Sequence, residues 1–380
     1  MVKRYRLVIP GPTESPDYVL TEMGAQVLPH YESEWAEIYW EVVGDLQKVL
    51  GTTSDVFPIN GSGTLSYEIA MASLLKEGDK VLSIANCGVG RGMGSAAEGF
   101  GATAVYAEGE MYKPMPPEKI RPYLENDSFQ MVVAGHHDTG SGFLNPLDEI
   151  GALCREYDIP FLVDCVASLG GVPFEMDAWG VDFCCSSVQK CFDCPPGLAI
   201  VGVSEKAWRK MEAVGKLNRG RYMNLLNWRR SAQQNHDWHP NMVTVATNNV
   251  MGLRASLKNI LAEGLDNRAA RYARLGDMVR KGIRNMGLTT LVEDQYAPLL
   301  TTVVFPEGID AWEAREFVRH QYGILTGRGN DRYFRIAHFG SAVSEDYMTL
   351  VLVAIEDFLR RKGRNIPVGT SLKGLEAFRG

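Results

Sequence analysis

From about residue 50 to about residue 205 the chain alternates short apolar runs with segments of helical period, a pattern that few arrangements other than a layered α/β fold can bury. The apolar runs are Val81–Ala85, Ala102–Tyr106, Met131–Gly135, Pro160–Val166, Phe183–Val188 and Leu198–Val203, each bounded by Gly, Pro or Asp as strands are. Between them lie helical patterns at Thr64–Leu75, Gly92–Gly99, Pro117–Leu124 and Pro146–Tyr157. Such repetition predicts βαβ units and a mostly parallel sheet with helices on both faces. Ligands of such sheets sit at the carboxyl ends of the strands, so the chemistry is expected there.

Past residue 245 the texture changes. Two long helices are expected at Val250–Glu263 and Asn267–Met286, the second carrying several arginines on a solvated face. Strands at Thr289–Val292, Leu300–Phe305 and Tyr333–His338 interleave with helices near Ala311–Gln321 and at Ser344–Arg361. The expected division is a large α/β domain over 1–250, with an N-terminal arm over 1–20, and a smaller α+β domain over 251–380.

Composition narrows the function. A net charge of −7 speaks against a nucleic-acid binder. No apolar run reaches the roughly 18 residues of a membrane-spanning helix. The apolar stretch after Met1 is too short for a signal-peptide core, so a cytoplasmic protein is the expectation. Four of the seven cysteines, Cys184, Cys185, Cys191 and Cys194, fall close together. The Cys191-Phe-Asp-Cys194 spacing suits zinc or a redox pair. Adjacent Cys184 and Cys185 would point to opposite faces of a strand, however, so small buried hydrophobes are the better reading and no metal is expected.

Three segments carry chemistry. Phe161-Leu-Val-Asp164 places a carboxylate at the end of a buried strand. Ser186-Ser-Val-Gln-Lys190 ends another strand in a lysine, an unusual place for a side chain that normally seeks water. A lysine desolvated there can be neutral and form an imine with a carbonyl. Asn60-Gly-Ser-Gly-Thr64 then opens a helix whose N-terminus favours an anion, without the lysine of a P-loop. An acid for a ring nitrogen, a lysine for an aldehyde and a phosphate cradle together suit pyridoxal 5′-phosphate. The glycine-rich Gly88-Val-Gly-Arg-Gly-Met-Gly94 invites a dinucleotide reading, but Met93 breaks G-x-G-x-x-G.

In order and spacing these segments resemble the class V aminotransferases of fold type I, the group of alanine–glyoxylate and serine–pyruvate aminotransferases. The resemblance takes in Gly11-Pro12, Gly61-Ser-Gly-Thr64, His136-His-Asp-Thr-Gly-Ser-Gly-Phe-Leu-Asn-Pro146, Val163-Asp-Cys-Val-Ala-Ser-Leu-Gly-Gly171, Gln189-Lys190, Pro195-Pro-Gly-Leu198, Val203-Ser-Glu-Lys-Ala-Trp208 and Phe334-Arg-Ile-Ala-His-Phe-Gly340. It implies that Lys190 is the Schiff-base lysine and proton shuttle, and that Asp164 pairs with the pyridine nitrogen. It further implies Thr139 on the cofactor ring, and Ser62, Gly63, Thr64 and Gln189 at the phosphate. Thr244 would reach the phosphate of a partner subunit, making a homodimer with active sites at the interface. Arg335 would take the substrate carboxylate as a bidentate pair. Where the family has a stacking aromatic the chain has Val89, so stacking is aliphatic or comes from elsewhere. Where many members have a phosphate-binding tyrosine it has Asn241.

His136-His-Asp-Thr139, Gly90-Arg-Gly92 and the pair Arg328 and Arg335 are also similar to pyridoxamine–pyruvate aminotransferase, which suggests Arg328 as a second substrate contact. That enzyme has an acid in its phosphate loop where this chain has Ser62, so a phosphorylated cofactor is expected. The implied reaction moves an amino group from a small amino compound to a 2-oxo acid of the pyruvate or glyoxylate type, by a ping-pong mechanism. A pyridoxal-phosphate lyase of the same fold, or vitamin transamination, is the alternative. A desulfurase is disfavoured, since every cysteine lies before residue 195.

Overall fold

The computed structural model describes residues 4–378 apart from Lys216 and Asn218. Its strands in chain order are β1 (Arg6–Val8), β2 (Asp55–Gly61), β3 (Lys80–Ile84), β4 (Thr103–Ala107), β5 (Met131–Gly135), β6 (Phe161–Asp164), β7 (Phe183–Ser187), β8 (Gly197–Val203), β9 (Thr289–Thr290), β10 (Leu300–Val304), β11 (Ile324–Thr326) and β12 (Tyr333–Ala337). Seven of them form the main sheet in the order β2-β8-β7-β6-β5-β3-β4. Only β8 runs against the others, pairing antiparallel with both β2 and β7. The mostly parallel sheet expected from the alternation is therefore present. The carboxyl ends of β2, β3, β5, β6 and β7 all emerge at one edge. Pro58 is tolerated in β2 because that strand lies at the edge of the sheet, where a missing N–H leaves no ladder bond broken.

Side chains alternate between two cores. Val132, Ala134, Val163 and Cys184 face one layer of helices, while Met131, Val133, Leu162 and Cys185 face the other. Adjacent Cys184 and Cys185 thus lie on opposite faces, both fully buried.

The helix Ser33–Leu50 escaped the sequence reading, although Trp35, Tyr39, Val42, Val43, Leu46, Val49 and Leu50 trace one buried stripe. It stops at Gly51, whose φ of 60° is left-handed. The segment expected to be a glycine-rich turn before a helix at Gly92 is itself helical, from Gly88 to Gly99. At Gly90 a Cβ would sit 1.9 Å from the Ile84 carbonyl oxygen, so glycine there lets the helix close onto β3.

The C-terminal part packs the helices Leu265–Asn285, Ala311–Tyr322 and Glu345–Arg361 on the antiparallel sheet β12-β10-β9. Its core takes in Val8, because β1 of the N-terminal arm pairs with β11. Val250, Leu253, Leu257 and Ile260 of the helix Thr247–Glu263 pack instead into the core of the main sheet. The arginines of Leu265–Asn285 correct one expectation. Arg268 and Arg280 are only 0% and 2% exposed rather than solvated. Each guanidinium enters the interior with a carboxylate partner, Asp193 for Arg268 and Asp277 for Arg280, which is what makes such burial tolerable. Among the described residues no helix is long and apolar enough to cross a membrane.

Candidate active site

β6 delivers Asp164 to the common edge of the sheet, opposite Gly135 of β5 and Cys185 of β7. One carboxylate oxygen accepts the Val166 N–H at 2.9 Å. Burial dominates its electrostatics and pushes the carboxyl up to about 6, against the pull of that hydrogen bond and of the Lys190 charge. Three residues beyond β7, Lys190 is half-buried and its amine donates to the Pro10 carbonyl oxygen. Burial holds this amine below its ordinary value; Cys191 and Asp164 oppose the shift and Arg335 adds to it. The arm presses close: a Cβ at Gly11, where φ is 111°, would lie 2.3 Å from Lys190 Nζ.

Arg335 reaches this group from β12. Its guanidinium donates to the Thr139 carbonyl at 2.7 Å and to the Arg328 carbonyl at 2.5 Å. Two of its five N–H groups are so used, and the fork keeps donors for a carboxylate. Thr139 is itself held in a loop that Asp138 organises by accepting the Gly140 and Ser141 N–H groups at 3.0 and 2.9 Å. The Arg328 side chain is not drawn into this cluster. It is exposed, with its guanidinium carbon 5.9 Å from the Trp312 ring centroid, so its contribution here is the carbonyl that fixes Arg335.

The end of β2 forms a cradle. Ser62 precedes the helix Gly63–Leu74 without making a side-chain cap, and Ser62 and Thr64 are exposed at a helix N-terminus. Gly63 is required, because a Cβ would approach Val166 Cγ2 to 2.6 Å and Ser187 Oγ to 3.0 Å. Ser187 Oγ and Gln189 Oε1 are buried and have no hydrogen-bond partner among the described residues. Buried polar atoms are rarely left unpaired, so these two mark where a polar ligand group fits. Reading the sequence missed Ser187. The signal was the strand period, which puts it on the same face as Phe183 and Cys185, toward the helix that opens at Gly63.

Val89 lies against β5, where a Cβ on Gly135 would meet it at 3.2 Å. His137, within the quoted His136-His-Asp-Thr139, carries no role in the sequence reading. Its Nδ1 donates to the Ala167 carbonyl at 3.2 Å, burial pushes it down to about 4, and its Nε2 has no partner among the described residues. Thr244 is exposed; its carbonyl accepts Asn60 Nδ2 at 2.8 Å and its hydroxyl lies 3.4 Å from His30 Nε2. Asn241 is buried and its Oδ1 accepts the Trp35 indole N–H at 2.7 Å, so its side chain serves packing within this chain. Among the described residues no group of three or more His, Cys, Asp or Glu side chains is placed to hold a metal ion.

A mostly parallel sheet whose edge gathers a desolvated lysine, a buried acid, an anion cradle and a guanidinium defines a pyridoxal-phosphate enzyme of fold type I. Family comparison agrees, since residues 10–333 match the model for aminotransferase class V. The chain is 31% identical to an uncharacterized aminotransferase of Methanocaldococcus jannaschii, covering 94% of this chain and 93% of that one. It is 30% identical to pyridoxamine–pyruvate transaminase of Mesorhizobium japonicum, over 97% and 94% of the two chains. The crystal structure of ureidoglycine–glyoxylate aminotransferase from Bacillus subtilis superposes with a TM-score of 0.93 at 27% identity, over 100% of this chain and 98% of that one. The chain belongs to the class V aminotransferases, and the chemistry of that family is pyridoxal-phosphate-dependent transfer of an amino group.

Proposed function

We propose that this enzyme takes an amino group from a small amino compound and passes it to a 2-oxo acid of pyruvate or glyoxylate size, in two half-reactions at Lys190. The observation that carries this reading is the convergence of Lys190, Asp164 and the Arg335 fork at one sheet edge. When bound, the cofactor supplies an electron-withdrawing ring that lets the carbon beside the amino group lose its proton. Lys190 moves that proton, a task for which burial suits its amine by favouring the neutral form. Asp164 pairs with the ring nitrogen and keeps it protonated. Val89 covers one face of the ring and Thr139 bonds its edge. Ser62, Gly63, Thr64 and Gln189 hold the phosphate, joined by the Ser187 hydroxyl. Arg335 fixes the substrate carboxylate in two bonds, and Arg328 locks Arg335 through its carbonyl, with its own guanidinium left to meet longer substrates. Ser62 in place of an acid favours the phosphorylated cofactor over free vitamin.

Two copies complete the site in this reading. The rings of Tyr31, His30, His239 and Trp238 follow one another at about 5 Å, and Tyr31 and Trp238 are 44% and 52% exposed. This aromatic surface adjoins Thr244, which would reach the partner's phosphate. Light scattering of the holoenzyme should give twice the 42.1 kDa of one chain; a monomer that retains full turnover would sink the shared site. The seven cysteines, all buried and unpaired, suit a cytoplasmic setting.

The test of the reaction is a half-reaction screen. Single amines are mixed with holoenzyme, the bound cofactor's absorption is followed, and pyruvate or glyoxylate is then added. Amino-group transfer requires both partners for turnover, whereas consumption of one compound alone identifies a lyase. Arg335→Gln should raise KM for the oxo acid about 30- to 150-fold, the equivalent of about 2–3 kcal/mol for losing charged hydrogen bonds. An unchanged KM would remove Arg335 from substrate binding.

A further inference from the structure

The turn after Lys190 is gripped by a charge pair with no exposed side-chain surface. Arg268 Nη2 lies 2.7 Å from Asp193 Oδ2, and both side chains are 0% exposed. The same nitrogen donates to the Cys191 carbonyl at 2.7 Å, Nε donates to Gly170 O at 3.1 Å, and Nη1 reaches Glu263 at 2.8 Å. The Asp193 N–H donates to the Lys190 carbonyl at 3.0 Å, which also accepts the Thr13 hydroxyl at 2.9 Å. Asp193 reaches the strand of Arg335 as well, because it accepts the hydroxyl of Ser341, four residues past the end of β12. Beside it the Gly340 N–H donates to the Tyr272 hydroxyl at 3.1 Å, and Arg268 lies 5.1 Å over that ring.

We propose that Arg268 and Asp193 are positioning residues that set the distance between the Lys190 amine and the Arg335 guanidinium. One buried pair holds the backbone on which the proton-moving amine stands, and it also holds the end of the strand that presents the carboxylate anchor. A substrate clasped by Arg335 then brings its reacting carbon to Lys190. The pair touches neither substrate nor cofactor atoms in this assignment. It rests on the reading of Lys190 and Arg335 given above.

The test uses the charge-neutral double variant Asp193→Asn/Arg268→Met, which leaves no unpaired charge inside, and Ser341→Ala, which removes the hydroxyl bonded to Asp193 and Tyr18 and keeps the fold should the double variant fail to fold. Two readouts are taken. In the full-length protein freed of cofactor, the pH dependence of Lys190 acetylation is followed by mass spectrometry; Asp164, Cys191, Arg335 and His137 are the titratable groups whose charges act on that amine. A loosened turn should let the amine hydrate and move its midpoint up toward the ordinary value of about 10.4. In the holoenzyme, kcat should fall by up to about 100-fold in the double variant, with KM for the oxo acid within about threefold, because a misplaced amine slows proton transfer while Arg335 still binds. Ser341→Ala should shift both in the same direction by less. An unchanged acetylation midpoint in a folded variant overturns the proposal. A shifted midpoint in a protein that transfers no amino group instead supports the clamp and removes the proposed reaction.

Discussion

Lys190→Ala should lower turnover by on the order of 10⁴-fold while leaving the melting temperature of the cofactor-free protein nearly unchanged. In the proposed reaction the amine holds an aldehyde and moves a proton, and among the described residues the half-buried side chain makes no ion pair whose loss would strand a charge. Its hydrogen bond to the Pro10 carbonyl is local, so methyl-sized truncation leaves the arm attached through Thr13, which still donates to Gln189 and to the residue 190 backbone. Mass spectrometry after borohydride should show the cofactor fixed to wild type and absent from the variant. A variant that retained more than a tenth of wild-type turnover would end the central assignment.

Asp164→Asn should move stability and activity in opposite directions. Burial holds the carboxyl at about 6 in the cofactor-free protein, well above its ordinary 3.8, so the folded state prefers the protonated acid. The stability this contributes is present below pH 3.8 and is lost as pH rises through about 6. By pH 7 the loss amounts to about 3 kcal/mol. Asparagine mimics the neutral acid, so the cofactor-free variant should melt higher than wild type at pH 7 and match it near pH 4. The holoenzyme should show the reverse, because an amide cannot keep a ring nitrogen protonated, and turnover should fall by on the order of 10³-fold or more. Calorimetry of both proteins at pH 4 and 7 checks the first half and steady-state rates the second. Equal pH dependence in wild type and variant would refute the role of burial at Asp164.

Most of the main sheet could be read from residues 50–205, because each buried parallel strand is a short apolar run and leaves a local mark. The pair Asp164 and Lys190 was legible for the same reason: a charged residue closing an apolar strand, or following it by three positions, is conspicuous. Ser187 was not, since a serine in a strand carries no mark until the nearby Gly63 and a hydroxyl with no partner among the described residues are seen in space. The solvated face expected for the arginines of the second long helix fails for Arg268 and Arg280, because helical period places several arginines near one another without saying which faces inward. The glycine run at 88–94 misled toward a turn; its Gly90 and Gly94 serve close packing of the helix on β3 and β4, a long-range need.

Residue order therefore settled the layered α/β class, the strand that ends in Asp164 and the strand that ends near Lys190, since these follow from periodicity within a few residues. Tertiary structure decided that Arg335, 145 positions after Lys190 in the numbering, shares its site, that the Arg328 guanidinium turns outward, and that Asp193 and Arg268 close a buried pair behind the lysine. The reason is physical. Periodicity is written in neighbours along the chain, whereas desolvation and charge pairing depend on which distant segments the fold brings within a few ångströms.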